Sequence, residues 1–239
     1  MPLTLTAPMC EAGPVRAVER EIGYRFSDDE LLRGATHTWH RLFGPLEHLG
    51  DAIADLAVGL SCHRVGLGPE VASRIVDNAH LESVLARRLR RVVRPRTGDV
   101  IEALVGAVHL DGGFDHAARV TAGLLMPDVG WRPIHESAVA SLEIGTPDQV
   151  WLGALVLDAV LADDLIRRRG PARTSQRELS RRRSEIVSTS NLDRVINADG
   201  LLRETVGDVR GLKSALAATL LAHGWAPTSG VVLDLLGRS

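Results

Sequence analysis

Two short stretches of this sequence hold carboxylates at a spacing that could grip a cation. In the first, Glu47, Asp51 and Asp55 recur every fourth residue, which sets them along one stripe of a helix. In the second, Asp99 and Glu102 are three apart and share a face. If the helix bearing Glu47 and Asp51 packs beside the helix bearing Asp99 and Glu102, four carboxylates converge. One like-charged pair about 4 Å apart costs roughly 4 kcal/mol at an effective dielectric near 20, so such a group must take up protons or bind a cation. Oxygen ligands without Cys or His select a hard divalent ion, Mg²⁺ or Mn²⁺. That ion can lower the pKa of a bound water and stabilise the leaving oxygen of a phosphodiester, so hydrolysis of a nucleic-acid backbone is the expected chemistry. Spacing alone also fits a plainer reading, in which acids at i and i+4 keep a helix face wet.

Other reactive side chains add less. His109 lies seven residues beyond Glu102, on nearly the same helical face, where a general acid or base is conceivable. The preferred reading is structural, with the ring in an aromatic slot and a ring nitrogen bonded to a backbone carbonyl. His40, His63, His80 and His116 show no evident partner. Cys10 and Cys62 have neither the number nor the spacing of a disulfide framework or a zinc site, so both are expected as free thiols.

The elements that must position these residues are helical. Aromatic residues make up only 3% of the chain and period-two alternation is scarce, whereas Ala, Leu, Arg and Glu recur at helical spacing. The expectation is an all-α protein, with 45% hydrophobic residues enough for a buried core. Ser27-Asp28-Asp29-Glu30 reads as a capping box ahead of a helix from Glu30 to His37. A second helix opens after Gly44-Pro45 with Leu46, Leu49, Ile53, Leu56 and Leu60 on its apolar side. One further helix is expected over Ser73 to Leu89, and another from Thr97, as N-cap, to Leu110, stopped by Asp111-Gly112-Gly113. The pattern breaks between Pro127 and Pro133. It restarts at the capping box Thr146-Pro147-Asp148-Gln149 and the apolar helix Val150 to Ile166.

The restart is a repeat. Setting Leu46 to Val58 against Gln149 to Leu161 matches Leu49-Gly50 with Leu152-Gly153 and Asp55 with Asp158. Setting Val100 to Phe114 against Gly211 to Trp225 matches Leu104 with Ala215, Ala107 with Ala218, Leu110 with Leu221 and Gly113 with Gly224. A repeat this long points to a duplicated domain. The expected division is a tail over residues 1–14, a domain with the acidic site over 15–130, and a second copy over 131–239.

Charge and hydropathy bound the partners. With 30 acidic against 28 basic residues the net charge is -2, so contact with a polyanion must come from local patches. Two exist: Arg87, Arg88, Arg90, Arg91, Arg94 and Arg96, then Arg167, Arg168, Arg169, Arg173, Arg177, Arg181, Arg182 and Arg183. Arginine suits phosphate, though a solvated helix face explains each group equally well. No segment reads as a signal peptide or a bilayer span, so a cytoplasmic protein without membrane contact is expected.

The run Leu46-Glu47-His48-Leu49-Gly50-Asp51-Ala52-Ile53 resembles the signature helix of the ribonuclease III family, and Gly98-Asp99-Val100-Ile101-Glu102-Ala103-Leu104-Val105-Gly106-Ala107 resembles its second acidic motif. Ile22-Gly23-Tyr24-Arg25-Phe26, Glu30-Leu31-Leu32 and Ala35-Thr36-His37 are similar to the family's opening helices, in the expected order. The resemblance covers Val15 to Pro127. It implies that Glu47, Asp51, Asp99 and Glu102 bind a catalytic Mg²⁺ (or Mn²⁺), that the substrate is double-stranded or structured RNA, and that His37 is structural. There are departures: Gly44 and Pro45 stand where the family's signature has a further glutamate and an arginine, His48 and His109 where it more often has aromatic residues. The segment between Leu89 and Asp99 is short, and nothing resembles a double-stranded-RNA-binding domain.

In the second copy, Ser175-Gln176-Arg177-Glu178-Leu179-Ser180 and Ile186-Val187-Ser188-Thr189-Ser190-Asn191-Leu192 resemble the family's middle helices, yet the ligand positions are lost. Glu47 corresponds to Val150, Asp51 to Ala154, Asp99 to Arg210 and Glu102 to Lys213, which cannot hold Mg²⁺. Since the family works as dimers, the resemblance implies an intramolecular pseudo-dimer of two ribonuclease III-like helical domains, with one active site per chain; a further homodimer is also open. The leading expectation is a metal-dependent endoribonuclease. The alternatives are a non-catalytic RNA-binding or assembly module of the same fold, and a repurposed metal-dependent enzyme acting on a non-RNA substrate.

Overall fold

The computed structural model describes residues 13–93, 97–131 and 145–237. Within them the chain runs through α1 (Gly13–Ile22), α2 (Asp29–Thr36), the long α3 (Phe43–Arg64), α4 (Pro69–Ile75) and α5 (Asn78–Val84). A π-helical turn, Leu85–Leu89, continues α5, and α6 (Asp99–Gly112) and α7 (Phe114–Leu125) follow. Next come α8 (Pro147–Arg169), a 3₁₀ turn at Pro171–Arg173, α9 (Gln176–Val187), α10 (Thr189–Ala198), α11 (Gly200–Val206), α12 (Val209–His223) and α13 (Trp225–Gly237). No strand occurs among the described residues, so the protein is all-α. Among them, too, no helix is long and apolar enough to cross a membrane.

Several helix ends differ from those read in the sequence, for local reasons. Asp28, not Ser27, caps α2 by accepting from the Glu30 amide at 2.8 Å. Ser27 is taken by the far end of α6: its hydroxyl donates to Asp111 at 2.5 Å, and the Tyr24 hydroxyl donates to the same carboxylate at 2.7 Å. α3 starts at Phe43, before Gly44-Pro45, because a proline in the first turn forfeits no helical hydrogen bond. The single helix expected over Ser73 to Leu89 is interrupted at Val76, where Asp77 caps α5 by accepting from the Ala79 amide at 2.6 Å. Thr97 is not a cap, since α6 opens behind Gly98 without a side-chain hydrogen bond. The Thr146 cap holds as read, with its hydroxyl accepting from the Gln149 amide at 3.3 Å. The break expected at Pro127 to Pro133 lies partly outside the described residues, as do Cys10, Arg94 and Arg96. Cys62 is a buried free thiol.

α3 is the centre of the molecule. It packs along α6, on another side along α8, and against α2, α7 and α9. Its apolar surface therefore extends well beyond one stripe: Leu46, Leu49, Ile53, Leu56 and Leu60 are fully buried, and so are Ala52, Ala57 and Val58 nearly so. Each large side chain contributes about 2 kcal/mol on burial. The three acids of α3 are left half-buried rather than on an open face.

The segments aligned with each other in the sequence can be compared by their packing. α8 packs along α12 as α3 does along α6. A Cβ on Gly50 would collide with the Glu102 carbonyl, and a Cβ on the equivalent Gly153 would collide with the carbonyl of the equivalent Lys213. Gly113 ends α6 at φ 86°, and Gly224 ends α12 at φ 82°, both in conformations open to glycine. Equivalent positions also meet each other. α3 lies on α8, and the Phe114 and Trp225 rings stack with centroids 4.8 Å apart and planes 10° off parallel.

Candidate metal centre

Close backbone approach brings the acids together. Where α3 crosses α6, Gly50 lies against the Glu102 carbonyl and Gly106 against the Leu46 carbonyl, with room for no side chain at either glycine. Glu47 and Glu102 each precede one of these glycines by three or four residues, about a helical turn. The crossing thus sets Glu47 beside Glu102, and Asp99 follows one turn earlier on the face of α6 that carries Glu102. Glu47, Asp99 and Glu102 each offer a carboxylate oxygen such that the three lie within 4.8 Å of one another.

The electrostatics are those of uncompensated negative charge. Burial, then the charges of Asp51, Asp99, Glu47 and Asp55, push the Glu102 carboxyl up to about 8. Burial and the Asp99 charge also raise Glu47. A hard divalent cation on these three oxygens would reverse both effects, and an all-oxygen donor set fits Mg²⁺ or Mn²⁺. The residues present fit that ion.

Asp51 stands outside this trio. Its carboxyl is raised by burial, eased by Arg183 of α9 and raised again by Asp158 of α8, and its own charge acts on Glu102, Glu47 and Asp55. Asp55, one turn further on, is pushed up to about 7 by burial and then by Asp51 and Asp158. Acidic α3 thus continues from the trio into the contact with α8, where the equivalent residues Asp55 and Asp158 face one another electrostatically. Arg183, with Nε 3.8 Å from Asp158, is the counter-charge there.

Gln176 belongs to the site and carries no signal in the sequence. At the first turn of α9 its side-chain amide donates to Glu47 Oε1 at 2.8 Å, across 129 positions of chain. A Cβ on Gly44 would lie 3.8 Å from the Gln176 Cβ. Gly44, where the signature it resembles has a further glutamate, is therefore in contact range of the Gln176 side chain of α9.

The structure corrects the reading of His109 and gives His40 and His116 partners that the sequence did not show. His48 is buried, its Nε2 has no partner among the described residues, and burial followed by the Arg183 charge lowers it to about 4, so it is neutral at physiological pH. His109 does not bond a backbone carbonyl: its Nε2 lies 3.1 Å from Asp163 of α8, and its ring meets Trp225 edge-on. Burial raises Asp163, but His109 and Arg167 outweigh it and hold the carboxyl below its ordinary value. His37 bonds the Arg33 carbonyl at 2.9 Å, and His40 lies 3.4 Å from Glu30. His116 lies 3.3 Å from Arg119 and packs edge-on against Tyr24.

Of the positions that the sequence alignment sets against the four acids, Val150 and Ala154 lie on α8 and Arg210 and Lys213 on α12. No acidic trio forms there among the described residues.

No family model matches the chain. Curated proteins do resemble it. A Ribonuclease 3 of Nitratidesulfovibrio vulgaris is 34% identical over 145 residues, covering 48% of this chain and 57% of that protein. A Ribonuclease 3 of Pseudomonas fluorescens is 35% identical over 135 residues, covering 45% and 58%, and one of Methylocella silvestris is 31% identical over 147 residues, covering 50% and 62%. The chain spans little more than half the length of the curated relatives it matches. This likeness, at 31% to 35% identity over about half of the chain, supports a relationship to the ribonuclease III family.

Proposed function

We propose that this chain is a Mg²⁺- or Mn²⁺-dependent endoribonuclease of the cytoplasm, hydrolysing phosphodiester bonds of double-stranded or structured RNA through one acidic site made by Glu47, Asp51, Asp99 and Glu102. The observation that carries the reading is the convergence of Glu47, Asp99 and Glu102 from two separate stretches of chain. When bound, the divalent ion supplies Lewis-acid stabilisation of phosphate charge and a more acidic water. The protein's own part is positional. Glu47, Asp99 and Glu102 hold the ion, Gln176 orients Glu47 through its hydrogen bond, and Asp51 adds negative charge to the site's edge while Arg183 limits the repulsion toward α8.

The proposed organisation is a pseudo-dimer of domains 15–130 and 131–239. Its support is that equivalent elements meet each other, α3 on α8 and Phe114 on Trp225, as surfaces related by a two-fold do. With Val150, Ala154, Arg210 and Lys213 at the second set of positions, one strand of a duplex is nicked rather than both cut. Duplex RNA labelled on each strand in turn, incubated with Mg²⁺, tests this. One strand is cleaved by the parent protein, and neither by Asp51→Asn or Glu102→Gln. Equal cleavage of both strands by a monomeric protein overturns the single site, and no cleavage by the parent overturns the nuclease.

A second reading, a non-catalytic RNA-binding module, is favoured by one observation: Gly44 brings no side chain to the place where the signature has its further glutamate. Such a module binds duplex RNA and leaves it intact with or without metal.

A further inference from the structure

The two arginine-rich stretches have different fates in a chain whose net charge is -2. In the second stretch six arginines meet carboxylates, Arg167 that of Asp163 at 2.6 Å and Arg168 that of Asp164 at 2.7 Å among them. Its charge is largely neutralised by its own neighbours. In the first stretch, none of Arg87, Arg88, Arg90 and Arg91 forms an ion pair among the described residues, and all four are exposed. Arg87 is steadied by donating to the Ser83 carbonyl at 3.3 Å and Arg88 by donating to the Gly123 carbonyl at 2.5 Å. These bonds use one nitrogen of each guanidinium and leave the others free.

The backbone there is unusual too. Leu85–Leu89 forms a π-helical turn, with Leu85 and Leu89 buried and Arg87 and Arg88 outside. Such turns are rare and frequently sit at functional sites. The four arginines, with Ala86 and Glu21, line a cavity of about 500 Å³. A lining of five charged residues and one alanine suits no apolar ligand. Its positive excess and its planar forks suit phosphate oxygens.

We propose that this cavity is a phosphate-binding site for a nucleic-acid strand, sharing no residue with the acidic centre; in naming RNA as the strand's source it rests on the nuclease reading. Duplex RNA binding, followed by fluorescence anisotropy without divalent metal between about 50 and 200 mM salt, separates the two claims. In the double variant Arg90→Gln/Arg91→Gln the slope of log affinity against log salt becomes shallower by about two, and affinity at low salt falls about tenfold. Glu21→Gln strengthens binding. Circular dichroism of the double variant matches the parent, because neither side chain is buried. An unchanged slope in the double variant, while the parent binds, overturns the cavity and leaves the nuclease standing. Slope-dependent binding by a parent that cleaves nothing with Mg²⁺ overturns the nuclease and leaves the cavity. A parent that binds no duplex at any salt overturns both. Calorimetry with tripolyphosphate covers the other source: tight binding lost in the double variant, with RNA affinity unchanged, assigns the cavity to a small polyphosphate and overturns the strand.

Discussion

Glu102→Gln should make the metal-free protein more stable, and only at high pH. The Glu102 carboxyl titrates near 8 in the folded protein against an ordinary 4.5, so between those values the native state holds a proton that the unfolded chain has lost. Stability is therefore fully present below about 4.5 and is lost as pH rises through 8. At about 1.4 kcal/mol per pH unit of displacement the full effect is about 5 kcal/mol, and solvent reaching the half-buried group reduces it to about 2 kcal/mol. The glutamine removes that penalty without changing the shape of the side chain. In EDTA, thermal unfolding should show the variant level with the parent near pH 5 and raised by roughly 4–8 °C near pH 9. Saturating Mn²⁺ should cancel or reverse the difference, because only the parent keeps its ligand set. A variant destabilised at pH 9 without metal, or stabilised equally at pH 5, refutes the argument that these acids repel one another.

Three further outcomes follow from particular contacts. Gly50→Ala drives a methyl into the Glu102 carbonyl, which is backbone and cannot swing aside, so it should cost about 3 kcal/mol or more in denaturant unfolding and weaken metal binding with it. Gln176→Ala removes the hydrogen bond that lowers the Glu47 pKa; the pH at which half-maximal Mn²⁺ binding occurs should move upward while the far-ultraviolet dichroism stays unchanged. Asp163→Asn leaves His109 buried without its carboxylate and should cost about 3 kcal/mol at pH 7. That cost should shrink as pH falls through the depressed Asp163 value and the parent loses the same charge.

What the sequence made legible was whatever depends on short spacing. The helices carrying Glu47 and Glu102 and the Thr146 cap are local patterns, and each reappears in the fold. The acids of α3 and α6 could be paired only by supposing that their helices touch. Gly50 and Gly106 are the residues that make them touch, and nothing in a lone glycine announces a helix crossing. Partners far along the chain left no trace: Gln176 for Glu47, Asp163 for His109, and Asp111 for Ser27 are each set by tertiary packing. The interruption at Val76 was hidden because Asp77 is a helix N-cap in the middle of a segment with helical periodicity throughout. The two arginine groups looked alike as sequence, and only the carboxylates placed around them distinguish a neutralised surface from a free one.

Titration of Mn²⁺ by calorimetry is the most direct trial of the acidic centre. The parent protein should bind at one acidic site per chain, more tightly as pH rises toward the value of about 8 at which Glu102 loses its proton. Binding should disappear in Asp99→Asn/Glu102→Gln and persist in Lys213→Gln. A parent that binds no Mn²⁺ at any pH, or a double variant that binds it as well as the parent, contradicts the assignment of a cation to Glu47, Asp99 and Glu102.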